Sequence, residues 1–372
     1  MDDSCVEAYA VKHGLRMVAD TIKGHRTETA RQFASGETIV SIPPLYAFPV
    51  RKDEDAADAD GKVEEPTRCT HCFQPLPARH PRCSQCRSAQ YCSVRCLDKH
   101  WKLRHYLECT TADGKADEAA AKVKPEHRPS LRMALGVATA LAVPRRPRWL
   151  QVQASAWTRL VSHRSDHPPH VLRQYTQIAS VLAQTASMDP ETAVEALCRF
   201  GCNNFAAYDY AARTATGRMC SPLVALLFNH SCLPNASFVY SASEGKQMVR
   251  ALHELAEGEE ITLAYVDGMH PRSVRRRTLA EVYFFDCTCT RCEGSSERGK
   301  IDAMLDRDAG TALPLGLPTD YGARSAALDP WAMAVVRGLM ETERESDLDH
   351  VLFDAVCAEQ PCDVSFTAYT HW

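Results

Sequence analysis

The chain has no strong excess of charge of either sign. Its 43 Lys and Arg face 47 Asp and Glu, a formal net charge of −4. Such a balance argues against a surface built to coat nucleic acid. No apolar run approaches the length needed to cross a bilayer; residues 131–143 come nearest and fall short. The first ten residues carry Asp2, Asp3 and Glu7, with neither a basic stretch nor a long apolar one, so no secretory signal and an intracellular address are expected. No internal repeat is visible. What the chain does have is cysteine, 17 of 372 residues. Without a secretory signal, clustered cysteines point to metal rather than to disulfides.

The pattern along the chain suggests several segments. Residues 1–50 read as strands: positions 7–19 mix apolar and polar residues, Gly36-Glu37 marks a turn, and Thr38-Ile39-Val40 precedes Pro43-Pro44. Residues 51–67 are acidic and nearly free of aromatics, the composition of a solvated loop. Residues 111–129 read as a second linker. Ser130 is placed to cap a helix over 131–143 that Pro144 ends. Helical spacing runs from Trp149 to Cys198, and short strands and turns take over from Phe200. A helix is predicted over Arg272–Val282, with Arg272, Arg275, Arg276 and Arg277 as a solvated face. The tail, 293–372, has helical patches, notably 331–340, and no motif.

Residues 69–109 hold Cys69-x-x-Cys72, Cys83-x-x-Cys86, Cys92-x-x-x-Cys96 and His105-x-x-x-Cys109. Two intervening residues let both sulfurs reach one ion from a tight turn; three put two ligands on one helical face. Eight soft ligands make two complete tetrahedral sites, which are closed and therefore structural rather than hydrolytic. A segment this short and polar takes its folding energy from the metal. His100 rivals His105, which is preferred because it alone sits four residues before a cysteine. The spacing is not that of a ββα DNA-reading finger. Further on, Cys287-x-Cys289-x-x-Cys292 leaves a third site one ligand short. Cys232, in Asn229-His230-Ser231-Cys232-Leu233-Pro234-Asn235, is the candidate that completes it. The remaining cysteines are isolated and read as small buried apolar residues.

The 69–109 spacing, with Tyr91-Cys92-Ser93 inside it, resembles the MYND zinc finger. The heptapeptide at 229–235 resembles the signature of SET-domain methyltransferases, and the order of segments is similar to the SET–MYND (SMYD) family over roughly residues 10–292. The resemblance implies an α+β fold of small curved sheets with a pseudoknot, an inserted finger, a helical insert and a short helical tail. It divides the chain into a first SET part (1–50), the finger (69–109), the helical insert (125–200), the SET core (200–286), a post-SET metal cluster (287–292) and the tail (293–372). It implies three zinc ions, with Cys69, Cys72, Cys92 and Cys96 on one, and Cys83, Cys86, His105 and Cys109 on another. It also implies S-adenosylmethionine as cofactor, a protein substrate with a target lysine, and a proline-rich peptide as a partner for the finger.

By the same resemblance Tyr265 and Tyr283 are the channel tyrosines, and Phe285 packs on the adenine. Lys23, Gly24, Asn203, Asn229 and His230 hold the cofactor, His230 largely through its backbone and not as a base. Desolvation in an aromatic channel favours the neutral lysine that methyl transfer needs, and ring faces tolerate the sulfonium methyl. The family's KGxGLxA turn is altered here, at Lys23-Gly24-His25-Arg26-Thr27-Glu28-Thr29-Ala30. Arg26 stands where the second glycine would let the backbone approach closely. This supports an alternative expectation, an inert zinc scaffold that recruits partners through its finger. The tail, about 80 residues by count, is too short for a full set of two-helix repeats.

Overall fold

A computed structural model describes residues 4–51, 67–109, 113–209, 214–268, 270, 272–294 and 364–365. The chain opens with a helix, α1 (Ser4–Lys12), where a strand is expected from sequence. Val6 and Ala10, four residues apart, are both buried, so the segment has a helical apolar face rather than an alternating one. Gly14, at φ +72°, ends it. The antiparallel hairpin β1 (Leu15–Asp20) and β2 (Gly24–Thr29) follows, with Leu15 opposite Thr29. Its turn is held by the Asp20 carboxylate, which accepts the N–H groups of Ile22 and Lys23 at 2.9 and 2.8 Å. Then come β3 (Thr38–Ile42) and β4 (Tyr46–Pro49).

The cysteine-rich segment contains α2 (Val94–His100), capped by the Ser93 hydroxyl, which accepts from Cys96 N–H. A π-helical turn, Trp101–His105, and α3 (Tyr106–Glu108) complete it. The predicted second linker contains a helix instead, α4 (Asp113–Ala120), because Ala116, Ala119 and Ala120 find a buried face. The next helix, α5 (Arg128–Ala142), starts before the expected cap: Pro129 occupies its first turn, and Ser130 lies buried inside it. The helical insert continues with α6 (Arg148–Arg159), α7 (Pro169–Ala186) and α8 (Pro190–Cys202).

Two small antiparallel sheets form the rest of the frame. β4 pairs with β6 (Thr214–Cys220), which pairs with β5 (Asn204–Asp209). A short helix, α9 (Pro222–Leu227), leads into β7 (Asn229–His230). β8 (Ala236–Ser241) pairs with β9 (Lys246–Ala251), which pairs with β3. β10 (Thr262–Leu263) runs parallel to β7, a contact between segments some thirty residues apart. The helix α10 (Arg272–Val282) has the predicted bounds. Of the tail, residues 293–294 and the two-residue strand β11 (Val364–Ser365), paired to β8, are described; the helical patch at 331–340 and the acidic stretch at 52–66 lie outside the described residues.

One buried side chain joins three parts of this frame. Gln153 of α6 donates to the Pro43 carbonyl at 2.7 Å and accepts Leu223 N–H of α9 at 3.0 Å. Its amide is satisfied on both ends, as burial requires, and it fixes the helix that feeds into Asn229.

Candidate active site and metal centres

Three groups of four side chains converge, each with its ligand atoms within 4.8 Å of one another: Cys69, Cys72, Cys92 and Cys96; Cys83, Cys86, His105 and Cys109; and Cys232, Cys287, Cys289 and Cys292. The described cysteines are all free thiols. Sulfurs on a tetrahedral zinc lie about 3.8 Å apart, given a Zn–S bond of ~2.3 Å. Here Cys72–Cys92, Cys92–Cys96, Cys83–Cys109 and Cys232–Cys292 stand at 3.5–3.6 Å, and Cys86 Sγ is 3.5 Å from His105 Nε2. The donor sets and spacings therefore fit a soft tetrahedral ion. His100 belongs to none of the groups: its Nδ1 is hydrogen-bonded to the Tyr91 hydroxyl at 3.0 Å, and its ring stacks on His105 at 5.2 Å. Burial pushes the His105 imidazole down to about 4, which keeps it neutral and able to ligate.

The third group draws Cys232 from the segment after β7 and the other three from the loop after α10. Ser231 N–H donates to the Leu263 carbonyl at 3.0 Å. The Asn235 side chain accepts Thr262 N–H at 2.8 Å and donates to the Glu260 carbonyl, also at 2.8 Å. The asparagines that bracket the heptapeptide thus pin it to 259–263. One expectation fails here. Arg275 is not on a solvated face: it is fully buried, with Nη2 4.0 Å from Cys292 Sγ. The cysteine cluster offers the buried guanidinium sulfur acceptors.

Beside this group lies an aromatic cluster. Tyr265 and Tyr283 have ring centroids 5.0 Å apart, and Tyr265 lies 6.4 Å from Phe285, edge to face. His230 sits 5.3 Å from Tyr265 and 6.0 Å from Phe285. The Tyr265 hydroxyl donates to the Phe228 carbonyl at 2.6 Å, and the Tyr283 hydroxyl donates to the Tyr265 carbonyl at 3.1 Å. Burial pushes both phenols well above their ordinary value of 10.0, so both stay protonated. Phe284, between Tyr283 and Phe285 in sequence, takes a φ of +60° and turns its ring to His163 and His167. That reversal lets its neighbours Tyr283 and Phe285 share one cluster.

A polar end adjoins the cluster through Asn229. Its amide donates to the His25 carbonyl at 2.8 Å and to Glu260 Oε1 at 3.2 Å. Lys23 Nζ lies 2.7 Å from Glu260 Oε2. Gly24, at φ +77°, has no atom within 4 Å of the position a Cβ would take. Arg26 does not face this end. Strand alternation puts it opposite His25 and Thr27, and its guanidinium is bound by Asp20 at 3.2 Å and Glu28 at 2.8 Å. Asn203 is engaged differently from the rest: its amide donates to the Arg199 carbonyl at 2.9 Å and so caps α8, as the Asn204 amide does to Phe200 at 2.8 Å. Sequence reasoning missed Glu260, His25 and Arg275. Only tertiary contacts distinguish these three from ordinary surface residues.

A SET domain is matched over residues 28–266. The histone-lysine N-methyltransferase ASHR1 of Arabidopsis thaliana is 30% identical over 287 residues, which cover 75% of this chain and 55% of the relative. The histone-lysine N-methyltransferase SMYD3 of Mus musculus is 29% identical over 220 residues, 57% of this chain and 48% of the relative. The N-lysine methyltransferase SMYD2 of Gallus gallus is 26% identical over 324 residues, 82% of this chain and 67% of the relative. The chain belongs to the SET-domain family, in its SET–MYND (SMYD) branch. It spans about half the length of the first two of these relatives.

Proposed function

We propose that this protein is a protein-lysine N-methyltransferase that uses S-adenosylmethionine, with a histone or non-histone protein as substrate. The observation that carries the reading is the meeting of Tyr265, Tyr283, Phe285 and His230 in one aromatic cluster, with Asn229, Lys23 and Glu260 at its polar end. The aromatic faces suit an adenine ring and a sulfonium. The ammonium of Lys23, the amide of Asn229 and the carboxylate of Glu260 suit the two charges of an amino-acid end. Asn203 has the weakest support among the proposed cofactor residues, since its amide is spent on a helix cap.

When bound, the cofactor supplies an electrophilic methyl. The chain's own residues prepare the amine. Tyr265 and Tyr283 wall a channel that strips water from the lysine and so favours its neutral form. The Tyr265 hydroxyl spends its proton on the Phe228 carbonyl, which leaves its oxygen to accept from the amine N–H and aim the lone pair. Neither phenol acts as a base, because burial keeps both protonated.

In the same reading zinc fills all three clusters. Four protein ligands each leave no open position, so these ions are structural. Arg26, bound by Asp20 and Glu28, does not fill the cofactor end, which weakens the case for an inert scaffold. A proline-rich peptide at the finger is a further proposed partner, tested by titrating such a peptide against the full chain. The test of the main reading is calorimetry with S-adenosylmethionine on zinc-replete protein. Binding at one site is expected; no binding by a folded protein holding three zinc ions overturns it.

A further inference from the structure

His230 presents a different face to each of two sites. Its Nδ1 lies 3.0 Å from the backbone nitrogen of Tyr265. That N–H can only donate, so Nδ1 accepts. A neutral imidazole carries one N–H, which must then be on Nε2. Nε2 lies 3.2 Å from Cys232 Sγ, within reach of an N–H···S bond. The side chain is buried, which limits competition from water for either contact. The tautomer is thus fixed by the tyrosine backbone, and the resulting proton points at a thiolate of the third cluster.

That cluster has reason to recruit donors. Four thiolates around one divalent ion leave a net charge of −2, and a buried negative charge is costly unless hydrogen-bonded or paired. Arg275 Nη2, 4.0 Å from Cys292 Sγ, approaches the cluster as a second donor group. His230 differs from Arg275 in what lies behind it, the Tyr265 backbone.

We infer that His230 is a positioning residue whose side chain ties the Cys232 metal centre to Tyr265, so that filling this centre fixes the aromatic cluster. The inference rests on the reading of the third cluster as a metal site. Loss of the ion frees Cys232, the Nε2–H loses its fixed acceptor, and the imidazole no longer holds the Tyr265 N–H. Outer donors of this kind typically change metal affinity about 10- to 100-fold.

The test uses full-length protein loaded with Co2+. For wild type, a chelator should release three equivalents. In His230→Leu one of the three should leave at least about ten-fold faster, and hydrogen exchange at the Tyr265 amide should accelerate. His230→Gln, whose amide can accept from one side and donate to the other, should restore both towards wild type. Wild-type release and exchange in a folded His230→Leu protein overturn the inference. A second measurement needs no variant at His230. As wild-type protein loses its third ion to chelator, exchange at the Tyr265 amide should rise in step; an unchanged rate overturns the inference. Cys232→Ser separates the two levels. If it still holds as many ions as wild type, the metal assignment itself has failed.

Discussion

Tyr265 serves the site with both ends of its residue. Its hydroxyl is anchored on Phe228, its backbone N–H on His230, and its carbonyl receives Tyr283. Tyr265→Phe removes only the hydroxyl, so cofactor binding should survive while kcat falls about 100-fold from loss of alignment. Parallel calorimetry and turnover measurements on a lysine substrate that the wild-type protein methylates check this; equal loss of binding and turnover counts against the assigned role. Arg26 gives the converse expectation. Its guanidinium is held by Asp20 and Glu28, away from Asn229. Arg26→Ala should leave the cofactor Kd within about three-fold, whereas a ten-fold change, about 1.4 kcal/mol, would show that the side chain reaches the pocket.

The hairpin β1–β2 carries Lys23 and Gly24, and its charges tune it. Arg16 first, and Arg26 second, hold the Glu28 carboxyl below its ordinary value of 4.5. A carboxyl depressed in the folded state stabilises that state above its unfolded value and loses the contribution as pH falls through the folded one. Hydrogen-exchange protection in β1–β2, taken relative to each amide's intrinsic rate at the same pH, should therefore be steady above about pH 5 and fall on acidification below 4.5, and Glu28→Gln should flatten that dependence. The finger is joined to the sheets by close backbone approach. A Cβ on Gly217 would fall 2.5 Å from Phe73, and one on Gly245 would fall 2.6 Å from His71. Phe73 also stacks on Tyr240 at 5.0 Å, and the Tyr240 hydroxyl donates to the His71 carbonyl at 2.8 Å. Gly217→Ala should cost about 1–3 kcal/mol by overpacking, read as a fall in Tm. Phe73→Leu in the same chain should recover part of it, and simple additivity of the two changes would argue against this contact.

At the scale of the molecule, the proposed ions make metal binding and folding one equilibrium. The finger has a small core built around its own ligands, Cys69, Cys72, Cys83 and Cys109. The third cluster closes the loop after α10 against the segment after β7. Binding energy of structural ions is folding energy. A chelator should lower Tm sharply and reversibly, with zinc restoring it, and a Tm indifferent to chelator would remove the structural role. Among the described residues no helix is long and apolar enough to cross a membrane. Of the buried ion pair Arg104–Glu108, on one face of the finger's last turns, Glu108 lines a small cavity with Tyr46 of β4 and Arg132 of α5 and Arg104 lies 5.4 Å from the Tyr46 ring, so finger, sheet and helical insert are packed as a unit.

Spacing alone made the metal clusters legible. Soft ligands two or three residues apart admit few geometries, so Cys69 to Cys109 and Cys287 to Cys292 could be picked out as ligands before any fold was known, the family resemblance implied which of the first eight share an ion, and ligand count pointed to Cys232. The predicted bounds of α10 agree for a similar reason, a local pattern with local consequences. The helix at Ser4–Lys12 was not legible as such, because its apolar positions are few and only burial of Val6 and Ala10 chooses the period. Nor could a glycine-for-arginine comparison at Arg26 reveal which side of the strand the side chain takes; that depends on register with β1 and on carboxylates at Asp20 and Glu28. The buried Arg275, the Lys23–Glu260 pair and the two-sided hydrogen bonding of His230 are contacts between segments far apart in the chain. Sequence determines which groups are available for such contacts, and the packing of those segments decides which groups meet, because a charge or a proton acts through distance and not through position in the chain.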